Sequence, residues 1–118
     1  MQSSHQRAEQ TTQYFHPTVQ HWFRRSFDKP TPVQTAAWPV IARGEHALIT
    51  APTGSGKTLT AFTWSLSLFA AGTYPTGQTK VLYISPLKAL NNDIQKNLLA
   101  PLHELHEHYD CPQLRVAI

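Results

Sequence analysis

The sequence is short of cysteine, of charge and of glycine. Cys111 is the single cysteine in 118 residues, so no internal disulfide can close. Stability must then come from a packed core, and a reducing, cytoplasmic setting is the simplest reading. Charged residues make up 14% of the chain, well below the usual quarter or so. Acids number seven against ten Lys and Arg, giving +3 with His neutral. That mild excess permits an anionic partner without naming one. No apolar run nears the ~18 residues that a membrane span takes. The polar stretch Met1 to Gln13 lacks the apolar region of a signal peptide. These shortages exclude a disulfide-stapled scaffold and argue against a membrane protein. A hydrophobic share of 41% suits a folded soluble domain.

Glycine is scarce, and two of the five stand almost together in Ala51-Pro52-Thr53-Gly54-Ser55-Gly56-Lys57-Thr58. Around that stretch the chain divides clearly. Residues 1–13 read as a mobile polar tail. Pro17 suits the first position of a short helix with Val19, Trp22, Phe23 and Phe27 as apolar contacts. A second helix should start near Pro32, where Thr31 and Gln34 match a capping box. Pro39 should break or kink it, and Gly44 suits its stop. His46 to Thr50 reads as a short buried strand. A helix should run from Lys57 to about Ala71, covered on several sides and stopped by Gly72. Val81 to Ile84 reads as a central parallel strand. Helices should follow over 88–99 and 101–109, and Leu114, Val116 and Ile118 alternate like a third strand. Strand–loop–helix repeated in this order predicts an α/β fold, a partial domain with parallel strands flanked by helices. Two or three parallel strands leave open edges, and the chain stops inside one of them, so 14–118 reads as part of a larger domain.

The eight residues from Ala51 to Thr58 form a P-loop. A phosphate needs many donors and little bulk around it. Backbone N–H groups of the loop and the following helix N-terminus supply the donors, and Gly54 and Gly56 allow close approach. Lys57 is placed to act on the β- and γ-phosphates of ATP as the catalytic cation, and the Thr58 hydroxyl to ligate Mg²⁺. The whole loop (Ala51, Pro52, Thr53, Gly54, Ser55, Gly56, Lys57 and Thr58) is the candidate nucleotide site. Its first position is Ala51, where the general pattern has Gly.

Pro30-Thr31-Pro32-Val33-Gln34, the P-loop, and Val81-Leu82-Tyr83-Ile84-Ser85-Pro86-Leu87-Lys88-Ala89-Leu90-Asn91-Asn92-Asp93 come in the order and approximate spacing of superfamily 2 helicases. The chain resembles this DEAD/DEAH-type family over about residues 15–118. Within it the likeness is to the large helicase-related (Lhr-type) proteins, in Ala51–Phe62 and Leu82–Leu102. The resemblance implies a RecA-like domain that binds ATP and Mg²⁺ in a helicase moving along nucleic acid, with DNA favoured over RNA. It implies that Gln34 reads the adenine edge, with Phe15 or Phe27 packing on the base. It also implies that Ser85, Pro86, Leu87 and Lys88 touch the nucleic-acid backbone. The acidic Mg²⁺ motif and the second motor domain of the family are not in the chain, so these residues alone should neither turn over ATP nor unwind.

Two other functions fit part of the pattern. A non-catalytic nucleotide- or nucleic-acid-binding module would keep the loop without the motor. A small P-loop kinase would have Gly at position 51 and clamping arginines downstream, and neither is present. His103, His106 and His108 with Glu104 and Glu107 mimic a metal cluster, but their spacing is not His-Glu-x-x-His. They read as a solvated helix face. Arg24 and Arg25 read as an exposed basic pair, and Trp22, Trp38 and Trp64 as core.

Overall fold

The computed structural model describes residues 12–74, 77–85, 92, 94–109 and 111–117. The described elements are four α-helices and one π-helical turn. They are α1 (Pro17–Ser26), α2 (Pro32–Ala42), α3 (Lys57–Ala70), the π-helical turn Gln95–Leu99 and α4 (Ala100–His108), which continues it. The tail lies outside the described residues as far as position 11.

Each helix starts and stops where local chemistry directs. At the start of α2, Thr31 Oγ1 accepts from the Gln34 N–H at 3.4 Å, and Gln34 Oε1 accepts from the Thr31 N–H at 2.9 Å. This reciprocal pair satisfies two backbone donors that a helix start leaves over. Gly44 closes α2 at φ +75°. Its N–H donates to Ile41 O at 3.0 Å, and the Glu45 N–H donates to Val40 O at 3.3 Å. Gly72 closes α3 in the same way, through Phe69 O and through Leu68 O from Thr73. Pro39 does not break α2 as expected. The helix continues through it to Ala42, at the cost of the one N–H that Pro39 cannot donate to the carbonyl four residues earlier. Nor do two separate helices follow position 94, because the π-helical turn runs without interruption into α4.

The core is aromatic. Phe15, Val19, Trp22, Phe23, Trp38, Leu59, Leu66 and Leu105 form one buried cluster, with Trp64, Leu98 and Leu102 packed against it. The Trp38 ring meets Phe15 edge-on at 4.7 Å and Phe23 at 5.3 Å. Its indole N–H donates to Thr60 O at 3.1 Å, which fixes α2 on the first turns of α3. At the other end of α3, Ser67 Oγ accepts from the His16 N–H at 2.7 Å and ties down the start of α1. Buried Thr60 and Thr63 bond back to Gly56 O and Leu59 O on α3 itself. Self-satisfied hydroxyls let α3 be covered beyond its apolar stripe.

The α/β fold with parallel strands is not what the structure shows. Among the described residues no strand forms. Leu48 is 93% exposed, Leu82 is 82% exposed and Ile84 is 84% exposed, so the runs expected as strands lie on the surface. Within 81–84, Tyr83 alone is half-buried, with its ring 4.9 Å from Phe62. The reason is physical. A helix bonds within its own segment, whereas a strand is completed only by another strand. An apolar run records that a segment can be buried, but does not supply the neighbour.

Candidate phosphate and nucleic-acid site

The candidate site is the loop 51–56 and the first turn of α3. Gly54 has φ +82° and Gly56 has φ +87°, a left-handed backbone that other residues adopt only under strain. The space beside Gly54 is open. At Gly56 a Cβ would stand 2.7 Å from Gln34 Nε2 and 3.7 Å from Thr31 Cγ2, so the capping box of α2 lies directly against the loop. Gly56 is also the N-cap of α3 and has no side chain to cap it. The first-turn N–H groups therefore lack the usual side-chain acceptor, an arrangement that suits an incoming anion.

Inside the loop, Pro52 O accepts from Ser55 Oγ at 2.6 Å and from the Ser55 N–H at 3.3 Å. The Lys57 ammonium donates to Ala51 O at 2.5 Å, folding back across the loop it follows. A bound phosphate would compete for this cation. Pro52, Thr53 and Gly54 are exposed, while Ala51, Ser55, Gly56, Lys57 and Thr58 are half-buried.

The other sequence-predicted residues are placed less favourably. Gln34 is 3% exposed, and its Oε1 already serves the capping box. Phe15 is 3% exposed and belongs to the core, whereas Phe27 is 40% exposed and stacks beside Trp22 and Phe23. Ser85 is half-buried, and Pro86, Leu87 and Lys88 lie outside the described residues. His103, His106, Glu104, Glu107 and His108 are exposed on α4. Among the described residues, no group of three or more His, Cys, Asp or Glu is placed to hold a metal ion. His106 Nδ1 instead lies 2.8 Å from Cys111 O, and Glu104 accepts from the Trp22 indole at 3.3 Å. No helix among the described residues is long and apolar enough to cross a membrane.

Sequence reasoning missed the support beneath the loop. Trp38 steadies the first turns of α3 through Thr60, and Thr31 and Gln34 abut Gly56. The capping-box pattern marked Thr31 and Gln34 as a helix start, but not as neighbours of a loop that begins 17 residues after Gln34.

The reading of the chain as the ATP-binding segment of a RecA-like motor is therefore corrected. Its P-loop was to hang between a strand and a helix. The helix begins at Lys57, but among the described residues no strand precedes the loop or stands beside it. The scaffold of the described residues is helical rather than α/β.

Comparisons with known proteins agree on the family. The DEAD/DEAH box helicase pattern matches residues 31–113. The chain is 50% identical to the Lhr helicase/uracil glycosylase of Escherichia coli over 95 residues, covering 75% of this chain and 6% of that protein. It is 49% identical to the ATP-dependent helicase Lhr-Core of Saccharolobus solfataricus over 106 residues, covering 86% of this chain and 12% of that one. The solved structure of Mycobacterium smegmatis helicase Lhr bound to ssDNA and AMP-PNP superposes with a TM-score of 0.72 at 39% identity, over 90% of this chain and 14% of that one. The chain thus spans a small part of the length of these relatives. It belongs, by that match and these likenesses, to the DEAD/DEAH box helicase family, with Lhr-type helicases among its relatives.

Proposed function

We propose that these 118 residues form a non-catalytic module that binds nucleic acid, and the phosphates of a nucleotide, through the loop Ala51 to Thr58. The observation that carries this is the left-handed Gly56, which ends the loop, opens α3 and rests on Gln34. Uncapped first-turn amides and one cation suit a phosphate oxygen from either source. DNA is the favoured strand, because the solved relative holds ssDNA. That relative also holds AMP-PNP, which supports nucleotide as a second ligand.

Phosphate fits the loop better than adenine fits Gln34. The buried Gln34 could meet an adenine edge only by using the second lone pair of Oε1, whose first accepts from the Thr31 N–H, together with its Nε2 donor. Mg²⁺ would enter with the nucleotide, held by the phosphates and the Thr58 hydroxyl. Ser85, Pro86, Leu87 and Lys88 would add a second backbone contact. The ATP-dependent helicase activity is named for relatives of which this chain matches 6% to 12% of the length, and it is left with them.

Fluorescence anisotropy with a labelled oligodeoxythymidine and a labelled ATP analogue tests the reading. Binding should be seen without ATP turnover. Lys57→Ala should weaken it by roughly 10- to 100-fold, the loss of one charge-assisted phosphate bond. Binding of neither ligand would overturn the proposal. ATP hydrolysis by the chain alone, abolished by Lys57→Ala, would overturn its non-catalytic character.

A further inference from the structure

Thr60 is fully buried in the first turns of α3, and its N–H, hydroxyl and carbonyl all have partners. The N–H donates to Gly56 O at 2.9 Å, and the hydroxyl donates to the same oxygen at 2.6 Å. The Thr60 carbonyl accepts from the Trp38 indole at 3.1 Å. A bond from this N–H to the N-cap carbonyl opens any helix. The hydroxyl bond is additional, and it falls on the carbonyl of the residue that closes the phosphate loop.

That carbonyl shares a peptide plane with the Lys57 N–H. In a trans peptide the two groups point in opposite directions. With Gly56 O drawn along α3, the Lys57 N–H points out of the N-terminal end of the helix, where α3 has no acceptor for it. Gly56 holds this plane poorly unaided, because a residue without Cβ is only loosely restricted in ψ. A side chain that would stiffen it has no room, since its Cβ would stand 2.7 Å from Gln34 Nε2. The orientation of the Gly56–Lys57 peptide is therefore left to what grips its oxygen.

We propose that Thr60 is a positioning residue for phosphate binding. Its buried hydroxyl locks the Gly56–Lys57 peptide with the Lys57 N–H facing the anion, and the Trp38 indole holds Thr60 in turn. This role rests on the reading of the loop as a nucleotide-phosphate site, and it needs no contact between Thr60 and the ligand. Thr63 supplies the comparison. It is equally buried, and its hydroxyl donates to Leu59 O at 2.5 Å, beyond the loop. If the Thr60 hydroxyl only satisfied itself inside a crowded helix, as such back-bonds commonly do, the two threonines would behave alike.

The experiment measures the affinity of the full chain for a labelled ATP analogue by anisotropy, with urea midpoints by circular dichroism for every variant. Thr60→Val keeps the shape and loses the hydroxyl, and should weaken binding roughly three- to tenfold, the loss of one neutral hydrogen bond. Thr63→Val should bind within about twofold of wild type, because its lost bond lies off the loop. Thr60→Ser keeps the hydroxyl and loses a buried methyl, so its urea midpoint should fall while its affinity stays. Thr60→Ala loses both and should bind as poorly as Thr60→Val. The Ser and Ala variants carry the same comparison should Thr60→Val not fold. Wild-type affinity in Thr60→Val, or equal affinity in Thr60→Ala and Thr60→Ser, would overturn the role. So would an equal loss in Thr60→Val and Thr63→Val, which would mark both hydroxyls as packing alone. A wild-type chain that binds no nucleotide would sink the phosphate reading itself.

Discussion

The helices and the apolar runs 46–50 and 81–84 of this chain both carry large apolar side chains but meet opposite fates. Trp22, Phe23, Trp38 and Leu66 in the helices are nearly inaccessible, while Leu48, Leu82 and Ile84 in the extended runs face solvent. The difference lies in the backbone. A helix satisfies its N–H and C=O groups within one segment, so an aromatic stripe can be buried as soon as a second helix meets it. An extended run needs a partner strand before its side chains can find a face to cover them.

Substitutions across the two regions should therefore differ sharply. The largest effect is expected at Trp38, which links α1, α2 and α3. Trp38→Ala should cost about 3–5 kcal/mol, seen as a lower urea midpoint by circular dichroism; a midpoint near wild type would mean that the aromatic cluster is not the core. Gly56→Ala comes next. Its left-handed φ should cost about 1–2 kcal/mol, with a further steric cost from the 2.7 Å approach to Gln34. Adding Gln34→Gly should remove the steric share and leave the backbone share, so a double-mutant cycle with no coupling would place Gln34 away from the loop. Thr31→Ala should cost about 1 kcal/mol through the lost N-cap, and should also loosen phosphate binding, because this cap abuts Gly56. Leu82→Lys should change stability by less than about 0.5 kcal/mol. A loss comparable to that of Trp38→Ala would show that the extended run is buried after all.

The ends of the helices were the most legible part of the sequence. Thr31, Gln34, Gly44 and Gly72 act within one turn of themselves, so short-range pattern suffices to place them. Between them, Gly54 and Gly56 both take a left-handed backbone, at φ +82° and +87°. The strands were misread because alternation and apolar runs report side-chain character without reporting pairing. Gln34 shows a finer limit. Its cap was visible, but its burial against Gly56 depends on how α2 packs on α3, which Trp38 sets from across the core. Phe15 carried two readings, a packing partner for a base and an ordinary core residue, and it is a core residue; nothing local separates an aromatic that packs inward from one that waits for a ligand.

By itself the sequence determined family membership and the ends of α2 and α3, both of which rest on residue types at short fixed spacing. Tertiary structure decided which aromatics form the core and that the capping box braces the loop. It also decided that the apolar runs near Leu48 and Leu82 stay uncovered. Those outcomes depend on which distant surfaces meet, and burial free energy follows the area removed from water, wherever in the chain the covering residues come from.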